Sequence, residues 1–148
     1  MSSEDLAANM RVTSEAFIKA WETWSIEPVM AMRAPDCKQT MYPKIVGFDA
    51  RTNDEFRAYF KSLDGVFSNA KMIIDDYVAV HTERRAVVRS TMQADAPWGL
   101  FENEYVWYLT FTEDGRLITD IVEFIDSLST QEVRAKLREY REKTGGSH

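Results

Sequence analysis

The stretch "LFENEYVWYLTF", residues 100–111, puts Asn103, Tyr105, Trp107, Leu109 and Phe111 on one side and Glu102, Glu104, Val106, Tyr108 and Thr110 on the other. Successive side chains of a strand point to opposite faces, so this alternation predicts a strand whose first set faces a core. Three neighbours read the same way: "KMIIDDYVAVH" (71–81), "RRAVVRSTMQA" (84–94) and "RLITDIVEFID" (116–126), each rich in β-branched or aromatic residues. The breaks "TERR", "DAPWG" and "TEDG" are short, and the last two hold the Asp and Gly that tight turns favour. A parallel return needs a long crossover, so four strands joined this closely are largely antiparallel.

Upstream the period changes. Leu6, Met10, Phe17, Trp21 and Trp24 recur at steps of three, four or seven, which predicts an amphipathic helix over 6–24. "IEPVMAMRAPDC" restarts at Pro28 and stops at Pro35, a second, short helix, and "KQTMYP" reads as a brief strand closed by Pro43. Over 52–67, Phe56, Tyr59, Phe60, Leu63 and Phe67 form one stripe of a third helix, with Thr52 and Glu55 spaced as a capping box. Downstream of the strands, Ser129 and Glu132 suggest a second capping box for a terminal helix over about 130–143. Val133, Leu137 and Tyr140 share its face, with Gly145 at its end and a loose tail after it. Helices packed on one face of a bent antiparallel sheet make an α+β domain, with a hollow between the layers where a small apolar ligand fits.

Composition narrows the function. The chain has 148 residues, 45% of them hydrophobic, enough for one domain with a core and too few for two. Its net charge of -6 is spread without a basic stripe, which argues against nucleic acid and anionic membrane as partners. Cys37 is the only cysteine, so no disulfide can form within the chain. The opening "MSSEDLAANM" lacks the basic and apolar regions of a secretory signal, and no apolar run approaches the ~18 residues of a membrane span, so a cytoplasmic location is expected.

In order along the chain, "MRAPDC", "RTNDEFRAYF", "ENEY", "FTEDG" and "EFIDS" resemble the SnoaL-like proteins of fungal secondary metabolism, within the nuclear transport factor 2-like cone. The similarity spans roughly residues 12–128 of a single domain, and within that group the chain resembles the fungal meroterpenoid isomerases. The resemblance implies a homodimer, paired through the sheet, whose cavity rearranges polycyclic substrates by acid/base chemistry without a metal or redox cofactor. It also implies that Arg33 and Glu55, which match the arginine of "RAPDC" and the glutamate of "TNDE", belong to the catalytic pocket. Many relatives have a histidine two residues after the cysteine. This chain has Gln39 there, a substrate-contacting position without a proton shuttle.

Acid/base work on a carbonyl compound needs one group to take a proton and another to stabilise the oxyanion formed. A permanently charged guanidinium suits the second role, which falls to Arg33. Glu55, in the first turn of a helix, feels the positive end of the macrodipole and suits a base. Each has a plainer alternative. Glu55 can simply cap its helix, lying about 100° from the centre of the apolar stripe, and Arg33 can be a helix-end cation before Pro35. On the inward face of 100–111, Asn103 and Tyr105 are candidates to bind a ligand oxygen, and Trp107 is a wall or plain core. Tyr59, on the stripe of the third helix, joins them as a substrate contact. In the last strand Glu123 shares a face with Ile121 and Ile125, and Asp126 lies on the other, so one acid at most enters the hollow. A carboxylate on an apolar face must be paired or have a raised pKa, which makes Glu123 a further acid. Either acid has Arg85 or Arg89 as a possible partner across the sheet.

His81 stands at a turn and His148 in the tail, so no metal site or nucleophile–histidine pair is expected; Cys37 reads as a small buried residue. Two classes of function follow. The first is an isomerase or cyclase acting on a hydrophobic polycyclic natural product, with polyketide cyclisation and epoxide opening as neighbouring chemistries. The second is a non-catalytic cone that binds or scaffolds a partner. Ionisable groups facing inward separate them, because a scaffold needs none.

Overall fold

The computed structural model describes residues 1–145. Its helices are α1 (Ser3–Ala20), α2 (Ile26–Met30), α3 (Asn53–Phe60) and α4 (Ser127–Thr144). Its strands are β1 (Arg33–Tyr42), β2 (Phe48–Arg51), β3 (Ser68–Val80), β4 (Arg85–Ala96), β5 (Gly99–Phe111) and β6 (Ile118–Ile125). The strands form one sheet in the order β2–β1–β6–β5–β4–β3. The four strands expected from alternation and turn signals are all present, and β3 to β6 pair antiparallel. On β5, Asn103, Tyr105, Trp107, Leu109 and Phe111 are all buried, as the alternation requires.

The helices cover the inner face. Phe17 of α1 meets Trp107 edge-on at 5.2 Å, and Trp21, Phe56 and Phe60 extend the aromatic layer towards α3. The other end of α1 is fixed by the β5–β6 turn. Asn9 Nδ2 donates to the Asp114 carbonyl at 2.9 Å, and Thr13 Oγ1 to the Gly115 carbonyl at 2.7 Å. Gly115 has φ +72°, and a Cβ there would lie 3.0 Å from both Leu6 and Met10, so glycine serves both the turn and the close approach of the helix.

Several boundaries differ from the sequence expectation. The second helix ends at Met30, and the chain is already a strand at Arg33, so Arg33 is not a helix-end cation. Pro35 is tolerated in β1 because the register with β6 is irregular between Arg33 and Lys38, and β2 pairs only with Gln39 to Met41. β1 runs parallel to β6, matching Met41 to Glu123, a long-range pairing that local turn signals do not reveal. β2 was not anticipated. The third helix closes at Phe60 with a 3-10 turn over Lys61–Leu63, rather than reaching residue 67. α4 starts at Ser127, because the Asp126 carboxylate accepts from the Leu128 and Ser129 N–H groups at 3.0 and 3.2 Å. Ser129 therefore lies inside the first turn and is not the cap. The tail with His148 lies outside the described residues.

Candidate active site

Between the sheet and the helices lies a cavity of about 80 Å³, several times what one water needs. Its walls are mostly aromatic and aliphatic, among them Trp21, Trp24, Phe67 and Phe101. The polar residues on the wall are Tyr59, Asn103, Tyr105, Glu123, Thr130 and Arg134.

Glu123 is the chemically distinctive group. It stands on β6 between Met41 of β1 and Trp107 of β5, and only 5% of its surface is exposed. Gln39, fully buried, donates from Nε2 to Glu123 Oε1 at 2.8 Å and accepts from Arg33 Nη2 on its own Oε1. The order of this chain is dictated by chemistry. Arginine has donors only, so it must meet the amide oxygen, and the amide NH₂ is then left for the carboxyl group. Burial pushes the Glu123 carboxyl up to about 7, against the opposing pull of the Gln39 hydrogen bond and of the Arg33 and Arg134 charges. Glu123 thus exchanges a proton near neutrality, as a general base or acid requires.

Arg33 sits behind this carboxyl, not on the cavity wall. Its guanidinium lies 4.2 Å from the centre of the Phe56 ring, with Nη1 against the Met30 sulfur at 3.6 Å and Nε without a partner. Burial holds its pKa below the usual arginine value, yet a guanidinium remains charged. Neither Arg33 nor Gln39, both expected to touch the substrate, is among the residues that line the cavity: Gln39 bonds Glu123, and Arg33 bonds Gln39. Cys37, buried beside Arg33 with its thiol pKa pushed up by burial, is the small core residue its isolation implied.

Glu55 lies elsewhere. It is exposed, its Oε1 accepts from the Thr52 N–H at 3.0 Å, and its own N–H donates to Thr52 Oγ1 at 3.2 Å. This is the complete capping box, and the bond to Thr52 holds the Glu55 carboxyl below its ordinary value. Glu55 is absent from the cavity lining, so the structure does not bring it together with Glu123. Asp126 caps α4, which leaves Glu123 as the acid that enters the hollow. Neither acid is in an ion pair with Arg85 or Arg89 among the described residues.

The remaining expected contacts reach the wall in different states. Tyr59 does so with its hydroxyl pKa raised by burial. Tyr105, stacked on Trp107 at 5.4 Å, is held well above the usual tyrosine value by burial and by Glu123. Asn103 is committed to protein: Nδ2 donates to Thr130 Oγ1 at 3.3 Å and Oδ1 accepts from the Glu104 N–H at 2.9 Å. The Trp107 indole donates to Ser90 Oγ at 3.0 Å, which makes Trp107 a packed wall. Arg134, Val133 and Thr130 of α4 escaped the sequence reading as cavity residues. Their spacing with Leu137, at i, i+3, i+4 and i+7, is the signal that could have found them.

The SnoaL-like domain family matches residues 14–121. "Monooxygenase dmxR10" of Cryptosporiopsis sp. (strain 8999) is 32% identical over 136 residues, covering 90% of this chain and 91% of its own. The "Austinoid biosynthesis clusters protein F" of Penicillium brasilianum is 28% identical, covering 87% of each chain. Among solved structures, the BvnE pinacolase from Penicillium brevicompactum superposes with a TM-score of 0.84 at 25% identity, covering 95% of this chain and 97% of that one. The resemblance read from the sequence motifs is borne out, and the fold is nuclear transport factor 2-like.

Proposed function

The chain belongs to the SnoaL-like domain family, and from that premise we propose that it is an isomerase or cyclase of fungal secondary metabolism, acting on a hydrophobic polycyclic meroterpenoid or polyketide. The observation that supports this most is one buried carboxyl group, Glu123, on the wall of an otherwise largely apolar cavity. Glu123 takes a proton from the substrate and returns it at another position, while Gln39 and Arg33 hold its orientation and stabilise its charged form. The aromatic walls of Trp21, Trp24 and Trp107 fold the substrate against it. A scaffold has no use for an acid in such a place, because its burial is costly without a compensating role.

The test is to incubate the protein with extracts of polycyclic fungal metabolites and follow products of unchanged mass, with and without D₂O. Glu123→Gln keeps the shape and is expected to lose roughly 10²–10⁴-fold in turnover. Full activity in Glu123→Gln would exclude this role. The names of relatives such as dmxR10 favour a second reading, in which the deprotonated substrate reacts with dioxygen. A product gaining 14 mass units, with one oxygen atom of ¹⁸O₂ taken in, two hydrogens lost and the second oxygen leaving as water, marks that reaction.

We also retain a homodimer through the sheet. Val78, Val87, Tyr108 and Val122 stand opposite one another across β3, β4, β5 and β6, an apolar row on the outer face, where Val78 and Tyr108 are exposed. Light scattering of Tyr108→Glu should then report a monomer.

A further inference from the structure

Among the described residues the cavity wall carries one cation, Arg134. α4 is pinned at both ends: Thr130 is bonded to Asp126 and Asn103, and the Arg141 guanidinium reaches the Ser62 carbonyl. Arg134 lies between these anchors on the face with Val133 and Leu137, half-buried, and it lines the cavity with Glu123 and Tyr59. Among the described residues Arg134 forms no ion pair, since the salt bridges of the molecule involve other side chains and none lies at the cavity. Glu123, the acid of the wall, is already bonded to Gln39. Arg51 adds positive charge behind Tyr59, its guanidinium 4.4 Å from that ring with Nη1 buried and unpartnered. A half-buried guanidinium outside any ion pair, facing a cavity beside the Tyr59 hydroxyl and near enough to Glu123 to favour its charged form, is complementary to an anionic oxygen.

We propose that Arg134 binds the anionic oxygen of the substrate, and that the site therefore prefers polycyclic compounds carrying a carboxylate or an ionisable phenol or enol over neutral skeletons. This rests on the reading of Glu123 as the proton acceptor and names the substrate class for it. When Glu123 takes the proton of an enolisable carbonyl or a phenol, the electron pair remains on the substrate oxygen as an enolate or phenolate. Glu123 is then neutral, Arg134 is the charge left on the wall, and the new anion has its counter-ion in place. The role assigned to Arg33 from the "RAPDC" motif thus passes to an arginine 101 positions later in the chain.

The experiment uses two isosteric probes that cannot rearrange, 2-naphthoate and 2-naphthamide, titrated by fluorescence at pH 6. The wild type is expected to bind the naphthoate at least tenfold more tightly than the amide. Arg134→Leu should remove that preference while leaving amide binding within twofold, and Arg134→Lys should restore part of it. An undiminished preference in Arg134→Leu overturns the proposal, and so does a wild type that shows no preference or binds neither probe. Because the probes are inert, this result is independent of turnover. Loss of the preference leaves the Glu123→Gln test standing, and an active Glu123→Gln leaves the Arg134 result standing.

Discussion

Glu55 and Glu123 are the same side chain in opposite surroundings. At the start of α3, Glu55 is exposed and bonded to Thr52, and its carboxyl is held below the ordinary value. At the centre of the sheet, Glu123 is buried against Trp107, and its carboxyl is pushed up to about 7. Two hydrogen bonds in water tie off a helix; one hydrogen bond in an apolar cavity makes a group that changes charge near neutral pH. What separates the two carboxyl groups here is the surrounding dielectric, not the residue type or its place in a motif.

Phe56 joins the two regions and offers the largest way to break the comparison. It follows Glu55 in sequence, yet its ring packs under the Arg33 guanidinium that supports Glu123. Phe56→Ala should cost about 3–5 kcal/mol in denaturant unfolding, from the cavity and the lost ring face together. The same variant should impair turnover, whereas Glu55→Gln beside it should not.

Next in size is the pH dependence of stability. The native Glu123 keeps its proton up to about 7, while the unfolded chain releases it near the ordinary 4.5. Between those values the native state binds more protons, so stability falls as pH rises from 4.5 through 7 and is flat above. The difference of about 2.5 units corresponds to about 3 kcal/mol. Glu123→Gln should therefore unfold at higher denaturant than the wild type at pH 8 and match it below pH 4.5. In the wild type the rate should rise through a titration near 7. A Glu123→Gln protein less stable than the wild type at pH 8 would show that the carboxylate is compensated and the contrast with Glu55 overstated.

The smallest effects belong to the cap. Thr52→Ala should cost about 1 kcal/mol, and Glu55→Gln should stay within about 0.5 kcal/mol with full activity, since glutamine also serves in a capping box. A large loss of turnover in Glu55→Gln at unchanged stability would move the proton transfer back to α3.

Local features were legible in the sequence and long-range ones were not. The inward face of β5 could be read from Asn103 to Phe111 because a period of two is visible in any strand with one dry side. The Thr52–Glu55 box could be read because its two partners are three residues apart. The bond between Gln39 and Glu123 crosses 84 positions and depends on the parallel pairing of β1 with β6, which Pro35 and Pro43 conceal by making the segment look like the end of a helix and a fragment of strand. The motif resemblance therefore singled out Arg33 but not its bond to Gln39, through which it reaches Glu123. Arg134 was hidden for another reason: in "VRAKLREYREK" it is one of several cations on an amphipathic helix, and only the packing of α4 shows which of them meets the cavity.

Three of the four tryptophans, Trp21, Trp24 and Trp107, line the cavity, and the indole N–H groups of Trp21 and Trp24 have no partner. Most of the protein's indole chromophores thus stand at the site, two of them with unpartnered N–H groups. A ligand oxygen that reaches either indole should shift the tryptophan emission to the red, and an aromatic ligand stacked among them should quench it. Occupancy of this cavity can thus be read optically, without a label and before any product is known.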